Sequence, residues 1–215
     1  MSPDVEDRLE SDDPHWPAQA AILAALVLHI ALPGRVTVIP DWIVPVAEGL
    51  LLVALVIARR QESPRRRLLA FTVIGLVVAA NTVTLGALVN YLLDHQRAHG
   101  DSLLLSGVDI YVTGILIFAV LFWELDRGGP DVRNTARASR PDFFFQTMDP
   151  ATERPRWRPV FVDYLYLSFT NCTAFSPTDT MPLSARAKVL MLVEATGALA
   201  TAAVVLSRAV NLLGT

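Results

Sequence analysis

The sequence predicts an all-α membrane protein with about five transmembrane helices plus a re-entrant helix and loop. Three observations carry that fold class. Hydrophobic residues make up 53% of the 215 positions, and mean hydropathy is +0.42. They are gathered in blocks, and five of the blocks meet or approach the ~20 apolar residues of a spanning helix, for which ~17 is the lower limit. Before the last block, an aromatic run over 164–173 leads into a Thr-rich polar stretch closed by Pro182. A soluble protein seldom needs several all-apolar helices of this kind.

The chain opens with Asp4, Glu6, Asp7, Glu10, Asp12 and Asp13 against Arg8 alone. This composition predicts a short disordered acidic N-terminal tail over 1–17. A secretory signal starts with a positive region, so this start does not fit one.

The apolar blocks are Trp16–Pro33, Trp42–Ala58, Leu68–Leu93, Leu103–Leu125 and Ala187–Leu213. The first two sit at the lower length limit, and the first four make a four-helix transmembrane region over 18–125. Pro33-Gly34 and Pro40-Asp41 punctuate the first connection. Arg59-Arg60 and Arg65-Arg66-Arg67 fall in the second, and His95, His99 and Gly100 in the third.

Residues 126–159 read as an Arg/Pro-rich aqueous loop, with seven arginines and five acids. Its Phe143-Phe144-Phe145 and Trp157 are apolar for a free loop and predict contact with the membrane interface or the helix ends. Residues 160–215 form the last module, a helix, a polar loop and the final transmembrane helix. No internal repeat is visible.

Orientation follows from arginine. The loop 59–67 has five and the loop 126–159 has seven, whereas 34–41 and 94–102 have one each. Helix parity puts both rich loops on one side, and the positive-inside rule makes that side cytoplasmic, with the N-terminus.

Several chemistries are excluded or disfavoured. Cys172 is the single cysteine, so no intrachain disulfide forms. A net charge of −3 implies no nucleic-acid partner. His15, His29, His95 and His99 offer one metal-like spacing, His95-x-x-x-His99, which would share a face only on a helix and sits instead in a short loop beside Gly100. No phosphate-binding glycine motif, hydrolytic site, redox site or cofactor site is visible, and the chain does not read as an enzyme. Asn171-Cys172-Thr173 matches a glycosylation acceptor pattern but falls at membrane depth.

Ionisable groups inside spanning helices are costly, and they are functional candidates for that reason. Glu48 and Glu194 lie deep in their apolar blocks, while Asp109, Asp163 and Glu124 are placed nearer the interfaces. For Glu194, a hydrogen bond to the loop backbone and a transport role are both open. Asn81, Thr82, Thr84 and Asn90 give the third helix a polar side, which fits interhelical hydrogen bonding or a permeation path. The last helix carries Ala195, Gly197, Ala198, Ala200, Ala202 and Ala203, which suit close packing or an oligomer seam.

The C-terminal quarter resembles the pore module of the potassium-channel superfamily: pore helix, Thr-x-Gly-Tyr-Gly-Asp filter, two residues, Pro-Leu-Ser and inner helix. The stretch from Phe169 to Ser184 aligns with it without a gap. Thr173 falls on the filter's leading Thr, Asp179 on its Asp, Pro182-Leu183-Ser184 on the closing triplet, and Glu194 on an acid common in the inner helix. The family's Gly-Tyr-Gly is replaced by Ser176-Pro177-Thr178. The family filter uses backbone carbonyls in place of the ion's hydration shell, and Pro177 fixes φ and removes an N–H. Potassium selectivity is therefore not carried over. The arginine rule also enters the loop from inside, as in glutamate-receptor channels, unless the likeness is convergent. The whole chain also resembles a family of bacterial inner-membrane proteins with four helices before an aromatic-rich segment and a final helix.

The resemblance implies a channel-like protein of the plasma (inner) membrane, conducting ions through a homo-oligomeric pore, with a tetramer as the potassium-channel analogue. Thr173, Ala174, Phe175, Ser176, Pro177, Thr178 and Asp179 would form the filter-like loop, with Glu48 and Glu194 as supporting intramembrane acids. The alternative is a non-conducting scaffold or sensor built on a channel-derived fold. A single-chain transporter comes third, since no repeat of the kind those folds use is present.

Overall fold

The structure is a computed structural model that describes residues 14–32, 40, 42–58, 64–93, 100–133, 135–146, 158–173 and 180–213. The acidic tail through residue 13 and loop residues 174–179 lie outside the described residues. Among the described residues six helices carry the fold: α1 (Trp16–Ala31), α2 (Ile43–Ala58), α3 (Pro64–Leu93), α4 (Gly100–Leu125), α5 (Phe161–Thr173) and α6 (Ala185–Leu213). Two short strands, β1 (Phe143–Phe145) and β2 (Thr180–Pro182), pair antiparallel, with Phe145 opposite Thr180 and Phe143 opposite Pro182.

Among the described residues, three stretches are long and apolar enough to cross a membrane: Arg67–Asn90, Leu104–Gly128 and Ala185–Ser207. The chain is thus an all-α membrane protein by length and composition. The helices α1 and α2, at 16 residues each, are shorter. At 1.5 Å per residue each spans about 24 Å. Side chains that reach water in a soluble protein are apolar on these helices: Leu23, Val27, Leu50, Val53, Leu76, Val189, Leu192 and Leu199 all face outward, as a lipid-facing surface requires.

One end of the bundle is capped by residues 126–146. A 3₁₀ turn, Asp126–Gly128, ends α4 and reverses the chain, with Arg127, Gly128 and Gly129 all at positive φ. At Gly129 (φ 93°) a Cβ would also crowd the Glu124 carbonyl at 3.2 Å, so glycine is required there. Four elements converge on this cap. The ring of His15, just before α1, packs edge-on against Trp123 with centroids 5.3 Å apart. From the start of α3, the Arg67 guanidinium donates to the Glu124 carbonyl at 3.3 Å. Phe161 at the start of α5 meets Trp123 at 5.9 Å, and Arg186 at the start of α6 pairs with Asp142.

The cap is a folded layer with its own core. Phe143 is fully buried and sits between Phe122 (5.2 Å) and Tyr164 (6.4 Å). Phe145 packs edge-on to Tyr164 at 5.4 Å. Burying each of these rings contributes about 1.5–3 kcal/mol. Asp126, also buried, accepts from the Asp142 N–H at 2.8 Å and from the Tyr164 hydroxyl at 2.6 Å. That one carboxylate therefore joins the end of α4, the entry to β1 and α5. The Arg133 guanidinium lies 4.8 Å from the Tyr164 ring centroid and donates to the Trp123 carbonyl. Residues 126–133 and 135–146 of the Arg/Pro-rich segment thus pack on the helix ends, and the Phe143 and Phe145 rings supply the apolar anchor.

Candidate functional site

The helix α5 and the stretch that follows it organise the candidate site. Its buried residues Phe161, Tyr164, Leu167, Ser168 and Asn171 recur at helical spacing, so one stripe faces the bundle. The opposite stripe, Val162, Tyr166, Phe169 and Thr173, is exposed. In the first turn, Asp163 Oδ2 accepts from the Val160 N–H at 2.8 Å. Burial pushes the Asp163 carboxyl above its ordinary range, and that hydrogen bond pulls it partly back.

The helix starts at the capped end and points into the bundle. Its 13 residues give a length of about 20 Å. Near its far end the Cys172 carbonyl accepts from the Tyr111 hydroxyl at 3.3 Å, and Tyr111 lies in the middle of α4. Thr180, seven residues beyond Thr173, is back at the cap, paired with Phe145. The helix ends at Thr173 and the strand starts at Thr180, so no continuous helix runs from 164 to 182.

Of the loop residues singled out in the sequence, Thr173 is described: it is exposed, and its hydroxyl donates back to the Phe169 carbonyl at 2.9 Å. Ala174, Phe175, Ser176, Pro177, Thr178 and Asp179 lie outside the described residues.

Glu194 is buried in α6 and holds the inner end of α5 through side chains. Asn171 Nδ2 donates to Glu194 Oε2 at 2.6 Å and to the Met191 carbonyl at 3.0 Å. The Ser168 hydroxyl meets Glu194 Oε1 and also bonds the Ile115 carbonyl at 2.8 Å. Among the described residues, Glu194 hydrogen-bonds to Ser168 and Asn171 of α5, while the loop backbone of 174–179 lies outside the described residues. The Asn171-Cys172-Thr173 pattern is correspondingly buried at its asparagine and serves α6.

Beside this carboxyl is a cavity of about 60 Å³, lined among others by Asn81, Thr82, Tyr111, Cys172, Glu194 and Thr201. Its size and polar groups suit a few water molecules. Asn81 reaches the Thr113 hydroxyl at 3.4 Å, while Thr82 and Thr84 bond carbonyls of their own helix. Part of the polar side of α3 is thereby absorbed in interhelical and intrahelical hydrogen bonds.

Glu48, the other deep acid, belongs to a different cluster, with His29 and Asp109. The sequence placed Asp109 and Glu124 near the interfaces. Within the bundle both are buried, at 2% and 0% exposure, because α4 packs against α1, α3, α5 and α6, which is a matter of packing and not of membrane depth. His29 was missed; a histidine in an otherwise apolar helix was the available signal. Asp126, Arg133 and Asp142 were missed as well, since charged residues of an Arg-rich segment read as solvated, and so was Arg186, which reads as a solvated charge at the start of the last helix.

Among the described residues no group of three or more His, Cys, Asp or Glu is arranged to hold a metal. No family model, curated protein or solved structure matches the chain.

Proposed function

We propose that this chain is a channel-like integral membrane protein in which α5 and residues 174–179 form a re-entrant helix and loop. The observation that carries the reading is the pair of anchors at the cap. The helix α5 leaves the cap at Phe161 and reaches Tyr111 at mid-bundle, and the chain is back at the cap by Thr180. Non-helical polar backbone at membrane depth is tolerated where it is buried in protein or lines a water-filled path. In this reading α1, α2, α3, α4 and α6 are the five transmembrane helices, with the arginine-rich cap on the cytoplasmic side of the inner membrane.

One loop per chain encloses a pore only if several copies surround an axis, so the protein works as a homo-oligomer, with four copies as the potassium-channel analogue. The outward stripe of α5, with Val162, Tyr166 and Phe169 beside Val112 and Leu116 of α4, borders an apolar groove. That groove suits a neighbouring copy. Hydroxyls and carbonyls of 173–178 would face a partly hydrated ion, with Asp179 at one mouth. Glu194 would set the depth of the loop by holding Ser168 and Asn171.

Currents through the purified protein in planar bilayers test the reading. Ion conductance is expected, reduced by Asp179→Asn. Absence of any conductance across a range of voltage and pH would instead favour a non-conducting scaffold or sensor.

A further inference from the structure

The half of the bundle away from the cap contains a cluster that the channel reading does not use. His29 lies in the last turn of α1, Glu48 in the second turn of α2, and Asp109 within the first half of α4. All three are buried. His29 Nδ1 is 3.0 Å from Glu48 Oε1, and its Nε2 is 3.6 Å from Asp109 Oδ2. Both edges of one imidazole therefore face a carboxyl group, each from a different helix. Glu48 is completely buried, and its Oε2 has no hydrogen-bond partner among the described residues.

Charge balance among the described residues bears on what this cluster holds. The helices α1, α2 and α4 contain no lysine or arginine, and 68–90 of α3 contains no ionisable residue. Arg67 is spent at the opposite end, on the Glu124 and Leu125 carbonyls. Among the described side chains, Tyr111, Cys172 and Glu194 on the neighbouring helices belong to the second cluster, while Arg35, His95, Arg97 and His99, in the connections at this end, lie outside the described residues. A neutral ring between two carboxylates would leave two uncompensated charges in the membrane interior, at several kcal/mol each.

A metal ion does not fit as the counter-charge. The Ala25 carbonyl lies 3.1 Å from His29 Nδ1. A carbonyl only accepts, so Nδ1 carries hydrogen and has no lone pair for a metal. Its 3.0 Å approach to Glu48 also leaves no room for an ion between them, and at Nε2 Asp109 is the one facing carboxyl, too few ligands among the described residues to hold a metal. Protons remain. One on the ring makes an imidazolium that donates from both edges, and one on a carboxyl brings the cluster to neutrality.

We propose that His29, Glu48 and Asp109 form a buried proton-binding site that exchanges with the face of the membrane opposite the cap. The ligand is a proton. A proton on the Asp109 carboxyl passes to His29 Nε2, which leaves Asp109 as carboxylate and the ring as imidazolium between Asp109 and Glu48. Release is the reverse transfer to Asp109 followed by loss of the proton from the Asp109 carboxyl to water at that face, and uptake runs through the same two steps in the opposite order. The proposal does not depend on ion conduction.

The test uses the full chain in liposomes, with the histidine ring nitrogens isotopically labelled and the signal of His29 assigned by its loss in His29→Gln. Ring nitrogen resonances and carboxyl C=O infrared bands are followed as buffer pH is varied. The expected result is a His29 ring that converts between neutral and imidazolium forms, and a protonated-carboxyl band that is lost in Glu48→Gln or Asp109→Asn. A ring in one protonation state throughout overturns the proposal, even if both carboxyl variants fail to fold. A carboxyl band untouched by either variant also overturns it, as does a shift of the ring signal by added sodium or potassium at fixed pH.

Discussion

Asn171 donates to the Glu194 carboxyl at 2.6 Å, and with its second hydrogen to the Met191 carbonyl at 3.0 Å. Both amide hydrogens of the last turn of α5 are thus spent on α6, which fixes how far α5 penetrates the bundle. Replacing Asn171 by Ala strips a donor from a buried carboxyl and a buried carbonyl, a change worth about 1–3 kcal/mol per unsatisfied group. The expected outcome is a clear fall in the thermal midpoint of the purified protein in detergent. Asn171→Asp falls further, because it sets one acid against another, whereas Glu194→Gln keeps an acceptor for Asn171 and loses less. An Asn171→Asp protein as stable as the parent would break this account of the site.

The cap is tied to α6 by a two-pronged ion pair. Arg186 Nε and Nη2 reach the two oxygens of Asp142 at 2.7 and 2.6 Å, and Asp142 is buried while the arginine side chain is half exposed. The pair sits next to the pairing of Phe143 with Pro182, so it holds the return strand β2 at the cap. Arg186→Ala leaves a buried carboxylate with its charge uncompensated and is expected to cost about 2 kcal/mol, below the figure for a fully buried pair because water screens the exposed arginine. Arg186→Lys recovers only part of this, since a lysine ammonium cannot match the planar fork. A double-mutant cycle with Asp142→Asn reads the coupling directly, and no coupling would mean that the strands alone hold β2.

Gly107 marks the close approach of α4 to α6. A Cβ built there would overlap the Val205 side chain, with Thr201 alongside. Gly107→Ala is expected to destabilise the bundle by about 1–3 kcal/mol, the usual range for an overpacked core. Val205→Ala in the same chain should restore most of the loss, and a rescue that fails would show that the helices do not cross there.

The helices were legible because a spanning block needs only apolar residues in number, and the run lengths of α3, α4 and α6 supply it. The break between Thr173 and Pro182 was legible too, from Pro177, Pro182 and the polar run. Glu48 and Glu194 stood out as acids in apolar windows. Their partners did not, because His29 and Asp109 come to Glu48 only through the packing of α1, α2 and α4. The cap was hidden for a different reason. Asp126, Arg133 and Asp142 carry charge, and only the fold shows that Trp123, Phe143 and Tyr164 roof them over.

Orientation makes a separate prediction. The start of α3, with Arg67, sits at the Glu124 and Leu125 carbonyls, so the second and fourth connections share one end of the bundle. By their arginine content both are expected to face the cytoplasm. With Cys172 replaced by serine, single cysteines placed in 59–67 and in 135–140 should resist a membrane-impermeant thiol reagent in intact cells and react after permeabilisation. Rapid labelling of both from outside would reverse the topology and give the loop the potassium-channel direction of entry.

The last prediction concerns selectivity. A potassium filter stacks backbone carbonyls from several chains in place of the hydration shell, and glycine permits the backbone angles that other residues resist. The chain instead has Ser176-Pro177-Thr178 between Phe175 and Asp179, and proline holds φ near −65°. In the proposed oligomer, hydroxyls of Thr173, Ser176 and Thr178 would coordinate a partly hydrated ion, and a ring of Asp179 carboxylates at one mouth would favour cations over anions. Reversal potentials under bi-ionic potassium and sodium gradients should therefore lie near zero, with a clear preference for cations in a potassium chloride gradient. Neutralising the ring by Asp179→Asn should weaken the cation preference and leave the potassium-to-sodium ratio unchanged. A strong preference for potassium would mean that the loop builds a carbonyl cage despite Pro177.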